Sequence, residues 1–442
     1  MGAAAALLLS ASLVPPSIAE REEEDDRFPN SSGASQTFSV RGKIDTKNPF
    51  FQDLGTNERR CVTCHQPGEG WSVTPEGIRA RFEATGGTDP IFRTNDGSNS
   101  PTADVSTVEA RRQAYSMLLT KGVIRVGIGI PANAEFELID VDDPYGFASA
   151  KELSLFRRPL PTTNIPFLTA LMWDGREPDL LHQANEATVG HAAGAVPLTA
   201  KQRQQIVDFE TGIFTTQVRD KDAGVLNGQG GQGGPRTLAN QTFYFGINDL
   251  LGDTLTGEPF NNASMRLYEQ WGQVKDKGKY GDARRAIARG EALFNSKQIS
   301  ITRVKGVNNN PDFGTPPVVQ GFCTTCHNTP NVGNHSLKLA LDLGLTDEGR
   351  RTPDMPLYTL QNKTTGETIR TTDPGLGLIS GKWADIGRFK GPVLRGLAAR
   401  APYFHDGSAA DLDEVLDFYQ SRFGVTFTAQ ERSDLIAFLN AL

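Results

Sequence analysis

CVTCH at residues 61–65 and CTTCH at residues 323–327 are the two stretches that decide the fold of this chain. Together they use all four cysteines of the 442-residue sequence. Two thiols one helical turn apart can form thioether bonds to one porphyrin, and the histidine that follows can then bind its iron. A redox-active cysteine pair or half of a zinc site would account for one such motif, but not for two that leave no other cysteine. The sequence therefore predicts two covalently bound haem c groups.

Each motif gives its residues the same roles. The two cysteines attach the porphyrin, and the histidine is the proximal ligand of the iron. The predicted cofactor-binding residues are Cys61, Cys64, His65, Cys323, Cys326 and His327, of which the two histidines are metal ligands.

Similar segments close the two halves of the chain. LTAKQ at residues 198–202 and FTAQE at residues 427–431 each place a threonine three positions before a glutamine or glutamate. That spacing is a capping box, and an amphipathic pattern follows it both times. We therefore predict a mainly α fold made of two c-type cytochrome domains with long loops and small β-hairpin insertions. Two hairpins are expected, one joining residues 123–130 to 136–141 and one at residues 357–369.

The N-terminus carries an uncharged apolar run of the length found in signal peptides, too short to cross a bilayer. It predicts export to the periplasm and no membrane-spanning segment. An acidic run follows it, and a glycine-rich run at residues 228–235 separates the two halves. The predicted division is a signal peptide at 1–19, a flexible acidic leader at 20–40, an N-terminal haem c domain at 41–218 with an insertion at about 69–156, a linker and connecting helix at 219–282, and a C-terminal haem c domain at 283–442.

Composition narrows the class of partner. The formal net charge is −7, which argues against nucleic acid because phosphate binding needs a basic surface. The same charge is compatible with docking to a basic patch on another protein.

Two further stretches resemble a known family. MWDGR at residues 172–176, followed by QA at 183–184, and APYFHDGS at residues 401–408 resemble signatures of the bacterial di-haem cytochrome c peroxidases, a family that includes the methylamine dehydrogenase maturation enzyme MauG. The resemblance implies that the first haem reacts with peroxide and that the second stores electrons. It also implies that Trp173 relays electrons between them and that Gln183 lines the distal pocket.

The resemblance leaves the remaining iron ligands and the distal acid open. The family's distal acid would fall near Ala193, which cannot act, so we expect His191 to replace it as general acid–base. The family residue that binds the second iron falls at Tyr419, fourteen positions after His405. That residue is methionine in the peroxidases and tyrosine in the MauG-type enzymes. Met355 is the rival ligand, and a core tyrosine is the simpler interpretation of Tyr419.

These expectations combine into one predicted function and its rivals. The prediction is an oxidoreductase that reacts with hydrogen peroxide at the N-terminal haem and takes electrons through the C-terminal haem from a small redox protein, a cytochrome c or cupredoxin. The alternatives are an electron-transfer cytochrome with both haems six-coordinate, MauG-like oxidation of a protein or small molecule, and oxygen-dependent cleavage. The resemblance also allows a calcium ion between the domains, although the sequence has no carboxylate-rich calcium loop.

Overall fold

The structure, a computed structural model, describes residues 27–442. The predicted signal peptide and residues 20–26 of the predicted leader lie outside this range. The helices within it are α1 (Cys61–Cys64), α2 (Pro75–Thr85), α3 (Val108–Ala114), α4 (Ser116–Lys121), α5 (Leu180–Gly190), α6 (Ala200–Glu210), α7 (Pro235–Ala239), α8 (Lys279–Ser296), α9 (Cys323–Cys326), α10 (Gly377–Ser380), α11 (Leu412–Phe423) and α12 (Ala429–Asn440). The strands are β1 (Arg27–Asn30), β2 (Gly33–Ser39), β3 (Ile124–Ile128), β4 (Phe136–Asp142), β5 (Leu153–Arg157), β6 (Ile213–Asp220), β7 (Gly224–Val225), β8 (Ile299–Thr302), β9 (Val318–Gly321), β10 (Ala340–Leu341), β11 (Leu357–Asn362), β12 (Thr368–Thr371) and β13 (Phe389–Lys390).

The prediction of a flexible leader is wrong from residue 27 onward. Strands β1 and β2 form a hairpin, and β2 pairs antiparallel with β6 in a four-stranded sheet of order β1-β2-β6-β7. The buried hydroxyls of Thr37 and Thr215 lie 2.9 Å apart across this pairing. Because the partner strand is far along the chain, the acidic charge that precedes the hairpin gives no sign of it.

The predicted mainly α class holds only in part, because the described chain is a mixed α/β structure with twelve α-helices and five small sheets. The hairpin expected at residues 357–369 is confirmed by the pairing of β11 with β12. The other expected hairpin does not form: its two segments are strands, but β3 pairs with β5 and β4 pairs with β11. Strand β4 thereby joins the apolar cluster around Tyr358 and Leu360, and the insertion is tied to the C-terminal half.

Both capping boxes open helices as predicted. Thr199 accepts a hydrogen bond from the Gln202 backbone at the start of α6, and Thr428 accepts one from Glu431 at the start of α12. Helix α12 packs on α8 so closely that a Cβ atom at Gly290 would lie 2.0 Å from the backbone oxygen of a residue on α12. Only glycine therefore fits there.

The region predicted as a linker contributes to the same core as these helices. Tyr268 and Trp271 are fully buried in the apolar cluster that also contains Ile287 of α8 and Phe438 of α12. A Cβ atom at Gly231 would lie 2.6 Å from the Trp271 ring, so the glycine-rich run packs against that ring. The α-helices in this region are α7 and the first residues of α8, and a 3-10 helix spans Glu269–Gln273.

Each motif has its own apolar cluster. Cys61 packs against the cluster of Phe50, Trp71 and Phe209, whereas Cys323 packs against the cluster built on α8 and α12. The fold therefore surrounds each motif with its own apolar side chains, as expected for two haem-binding cores.

Candidate functional site

The first motif forms a single helical turn. In α1 the backbone N–H of His65 donates to the carbonyl of Cys61 over 3.1 Å, which brings the two thiols to the same turn. All four cysteines of the chain are free rather than paired in disulfides. Burial raises the pKa of the Cys61 and Cys64 thiols, as it does for Cys323 and Cys326. Four thiols that form no disulfide bonds are available for thioether bonds.

The rings of both motif histidines are oriented for metal binding. Nδ1 of His65 lies 3.1 Å from the carbonyl oxygen of Trp71, and Nδ1 of His327 lies 2.6 Å from that of Gly333. A carbonyl oxygen only accepts, so Nδ1 carries the hydrogen and Nε2 keeps its free electron pair. Burial lowers the pKa of His65 to about 4 and lowers that of His327 as well, so both rings are neutral. These are the properties required of a proximal iron ligand.

A cavity of about 1330 Å³, counting its open mouth, lies beside the first motif. The motif residues Cys61, Cys64 and His65 line one part of it. Trp173, Gln183 and His191 also line it, so every residue predicted for the first site reaches the same space.

Two buried cations in the cavity wall have no anionic partner. Arg158 and Lys390 are at most 6% exposed, and neither forms an ion pair with a carboxylate in residues 27–442. Burial lowers the pKa of Arg158 to about 10 and that of Lys390 to about 7. A buried cation is costly without an anion nearby, and a haem carries two propionate carboxylates. The charge of the cavity wall therefore suits a haem.

A histidine–aspartate pair faces this cavity. His191 follows the last residue of α5, and its Nδ1 lies 2.5 Å from Oδ2 of Asp96 in the insertion. Arg59 forms an ion pair with Asp96 and donates to three backbone carbonyls, one of them that of His191. Burial alone would raise the pKa of Asp96, but Arg59 and His191 lower it below its ordinary value. Asp96 is therefore a carboxylate that accepts the Nδ1 proton of His191 and leaves its Nε2 free.

Sequence analysis missed Asp96 and Arg59. Asp96 stands 95 residues before His191, in the insertion that the family resemblance does not align, and no local pattern marks it. Arg59 lies two residues before the first motif, and nothing in the sequence around it distinguishes it from the other arginines of the chain.

Trp173 joins the cavity wall to the C-terminal half. Its Nε1 donates to the carbonyl of Arg158 over 2.8 Å, and its own carbonyl accepts from the backbone of Lys390 over 3.0 Å. The Trp173 ring lies 6.3 Å from the ring of His405, which stacks on Phe389 at 4.3 Å. Neither ring nitrogen of the buried His405 has a hydrogen-bond partner in the described chain.

The two rival ligands of the second motif lie in different places. Tyr419 lies on α11 near the second motif: burial, and then the neighbouring thiols of Cys326 and Cys323, raise the pKa of its phenol. Its ring stacks on Phe423, which packs, like Cys323 and Cys326, against a second apolar cluster that contains Ile299 and Ile301 of β8. Met355 is buried in another cluster, with Met117, Val123 and Phe156.

Comparison with known proteins places the chain among relatives. It is 32% identical over 140 residues to the cytochrome-c peroxidase IdrP1 of Pseudomonas sp. (strain SCT), and 29% identical over 123 residues to the cytochrome c551 peroxidase of Nitrosomonas europaea. The chain is related to the cytochrome c peroxidases. These matches cover 27% of this chain and about a third of each relative, 36% and 30%. The resemblance predicted from the motifs is confirmed, and covalently bound haem c is implied with it.

Comparisons with family models and with solved structures give weaker results. No family model matches the chain. A solved MauG-like protein associated with microbial copper homeostasis aligns over 92% of this chain and 91% of its own, at 15% identity and a TM-score of 0.38.

Residues 27–442 show neither a membrane-spanning helix nor a cluster of metal-binding side chains. Between residues 27 and 442 no helix is both long and apolar enough to cross a membrane. The same residues contain no group of three or more histidine, cysteine, aspartate or glutamate side chains that could hold a metal ion. Calcium binding through backbone oxygens stays a prediction.

Proposed function

We propose that this protein is an exported, periplasmic di-haem cytochrome c that reduces hydrogen peroxide at the haem of the first motif. The observation that carries the proposal is the single cavity lined by His65, His191 and Trp173. The peroxidase names of the relatives support the reaction class. Cys61 and Cys64 would attach the first haem, and Cys323 and Cys326 the second.

A bound haem with one open face supplies an iron that reacts with peroxide. Nε2 of His65 would bind the iron. Nε2 of His191, in the same cavity, would take a proton from peroxide and return it to the departing oxygen, which would leave as water. Asp96 keeps the His191 ring in the required tautomer and stabilises its charged form, and the Gln183 amide orients the peroxide.

Two electrons and two protons convert one peroxide to two waters, and the electrons must come from outside the cavity. Trp173 lies between the cavity and the C-terminal half, which supports its role as the relay. The second haem, held by His327, would store electrons supplied by a small redox protein, a cytochrome c or cupredoxin.

A second candidate function is MauG-like oxidation of a protein or small-molecule substrate. Tyr419 favours it, because its ring lies by the second motif whereas Met355 does not. A tyrosinate ligand favours ferric and more oxidised iron over ferrous iron, which suits substrate oxidation.

The test uses the protein loaded with both haems and mixed with peroxide in a stopped-flow spectrometer. We expect His191→Gln to slow the peroxide reaction about 100-fold, the usual size of a general acid–base contribution. The matched control is His182→Gln, on the helix that His191 directly follows, where the ring is exposed and bonded to Glu177 at 2.6 Å. Equal rates in both variants would contradict the role of His191.

A further inference from the structure

Glu210 is a buried acid in the first cavity to which the proposed mechanism gives no role. It is the last residue of α6, and its neighbours Ile206 and Phe209 belong to the apolar cluster around Cys61. The residue is 4% exposed and lines the cavity. Its Oε2 is buried with no hydrogen-bond partner among the described residues.

No cation compensates this carboxyl group. The ionisable groups that line the same cavity are Arg59, Arg60, Cys61, Cys64, His65, Asp96, Arg157, Arg158, Arg176, His191 and Lys390. Arg59 is paired with Asp96, and Arg157 is paired with Asp174 and Asp373. None of the cations forms an ion pair with Glu210. Burial is the sole cause that raises the pKa of Glu210, to about 8, so the group is protonated at neutral pH.

A protonated carboxyl beside a redox centre responds to the charge of that centre. Oxidation adds one positive charge to the cavity, and a nearby positive charge favours the ionised carboxylate. Reduction removes that charge and favours the neutral acid. The coupling is strong here because Glu210 is buried from water next to the apolar side chains of Ile206 and Phe209, which screen charge little.

We propose that Glu210 releases a proton when the first haem is oxidised and takes one up when it is reduced. One electron leaves to the oxidant, and one proton leaves the Glu210 carboxyl for water or His191. When peroxide is the oxidant, the released proton enters the cavity in which the departing oxygen requires it. The inference rests on the proposed function for the presence of a haem in this cavity, but not on reactivity with peroxide.

The test measures the midpoint potential of the first haem by optical redox titration of the holoprotein between about pH 6 and pH 9. The potential of the native protein should fall as pH rises, because ionised Glu210 stabilises the oxidised form. Glu210→Gln should remove this slope. Asp208→Asn is the matched control on the same helix, because Asp208 is 42% exposed and paired with Arg41 at 3.3 Å; it should keep the slope. A slope that persists in Glu210→Gln would overturn the inference.

A second measurement does not depend on the variant folding. Redox-difference infrared spectroscopy of the native holoprotein should show the loss of a protonated carboxyl band on oxidation. Glu210→Asp should shift that band. An oxidation spectrum without any carboxyl change would contradict the inference. A pH-dependent potential in a protein inert to peroxide would leave the inference standing and remove only the proposed function.

Discussion

Nδ1 of His191 lies 2.5 Å from Oδ2 of Asp96, which joins the end of α5 to the insertion across 95 residues of sequence. Arg59, next to the first motif, holds Asp96 from its other side. The insertion therefore contributes a buried carboxylate to the cavity and orients the one histidine that can exchange protons there. We propose that this pair takes the place of the family's distal acid, which was expected near Ala193.

Replacing Asp96 with asparagine should slow the peroxide reaction about 10- to 100-fold, the usual effect of losing the partner that orients a functional histidine. Combining Asp96→Asn with His191→Gln should slow the peroxide reaction little more than His191→Gln alone, because both residues act through one proton transfer. Stopped-flow rates measured at equal haem content test this. Asp104→Asn, at an exposed carboxylate, is the control. Rate losses that add up in the double variant would contradict the proposal that His191 and Asp96 act as a pair.

Tyr419→Phe should change the absorption and magnetic spectra of the second haem, because the phenolate would no longer bind its iron. Met355→Leu should leave both spectra unchanged, since Met355 packs with Met117 and Phe156 in another cluster. Tyr280→Phe controls for loss of an exposed phenol, being 49% exposed. An unchanged Tyr419→Phe spectrum would return this residue to a packing role.

Changing both cysteines of one motif to serine should remove one covalently bound haem. Cys61 and Cys64 are free and lie on one helical turn. No other thiol can replace them, because the two remaining cysteines belong to the second motif. Mass spectrometry of the denatured chain counts the haems that remain. The reciprocal pair Cys323 and Cys326 serves as control and should also remove one. Retention of two haems in either variant would refute the assignment.

The buried cation Arg157 should be needed for stability. It donates to Asp373 over 2.7 Å and 2.9 Å and to Asp174 over 2.5 Å, and all three side chains are at most 2% exposed. Arg157→Met leaves the buried carboxylate of Asp373 without a cation and leaves Asp174 with Arg176 alone, and it should cost about 3–5 kcal/mol of unfolding free energy. Urea unfolding of the holoprotein measures it. Arg370→Met, which breaks an exposed pair with Glu348, should cost about 1 kcal/mol or less.

The stability lost in Arg157→Met should increase with pH. Burial would raise the pKa of Asp174, but Arg157 and Arg176 lower it below its ordinary value. In the native protein this stabilisation is present above the unfolded pKa of about 3.9 and is lost as pH falls through the lower folded value. Without Arg157 burial dominates and the folded pKa rises, so the variant loses stability as pH increases above about 4. The destabilisation should therefore be larger at neutral pH; a loss independent of pH would contradict it.

Sequence reasoning located features that have local causes. Cysteine spacing identified both haem motifs, and a threonine three residues before Gln202 or Glu431 identified the starts of two helices. The hairpin of β11 and β12 was also found, because its turn lies between adjacent strands.

Features that depend on distant partners were missed. Strand β2 pairs with β6, and β4 with β11, so neither pairing has a local signal. The same holds for the pair of His191 and Asp96 and for the burial of Glu210, which also depend on residues far away in the sequence. Side chains from separate elements meet only after the chain has folded.

The most direct test of the central claim is an optical titration of the purified holoprotein with hydrogen peroxide, started from the fully oxidised and the half-reduced forms. The account predicts rapid conversion of the haem spectrum in at least one form when about one equivalent has been added, because the proposed reaction requires a first iron that is open to peroxide. No response from either form would mean that both irons are closed. That result would contradict the peroxidase assignment and favour an electron-transfer cytochrome.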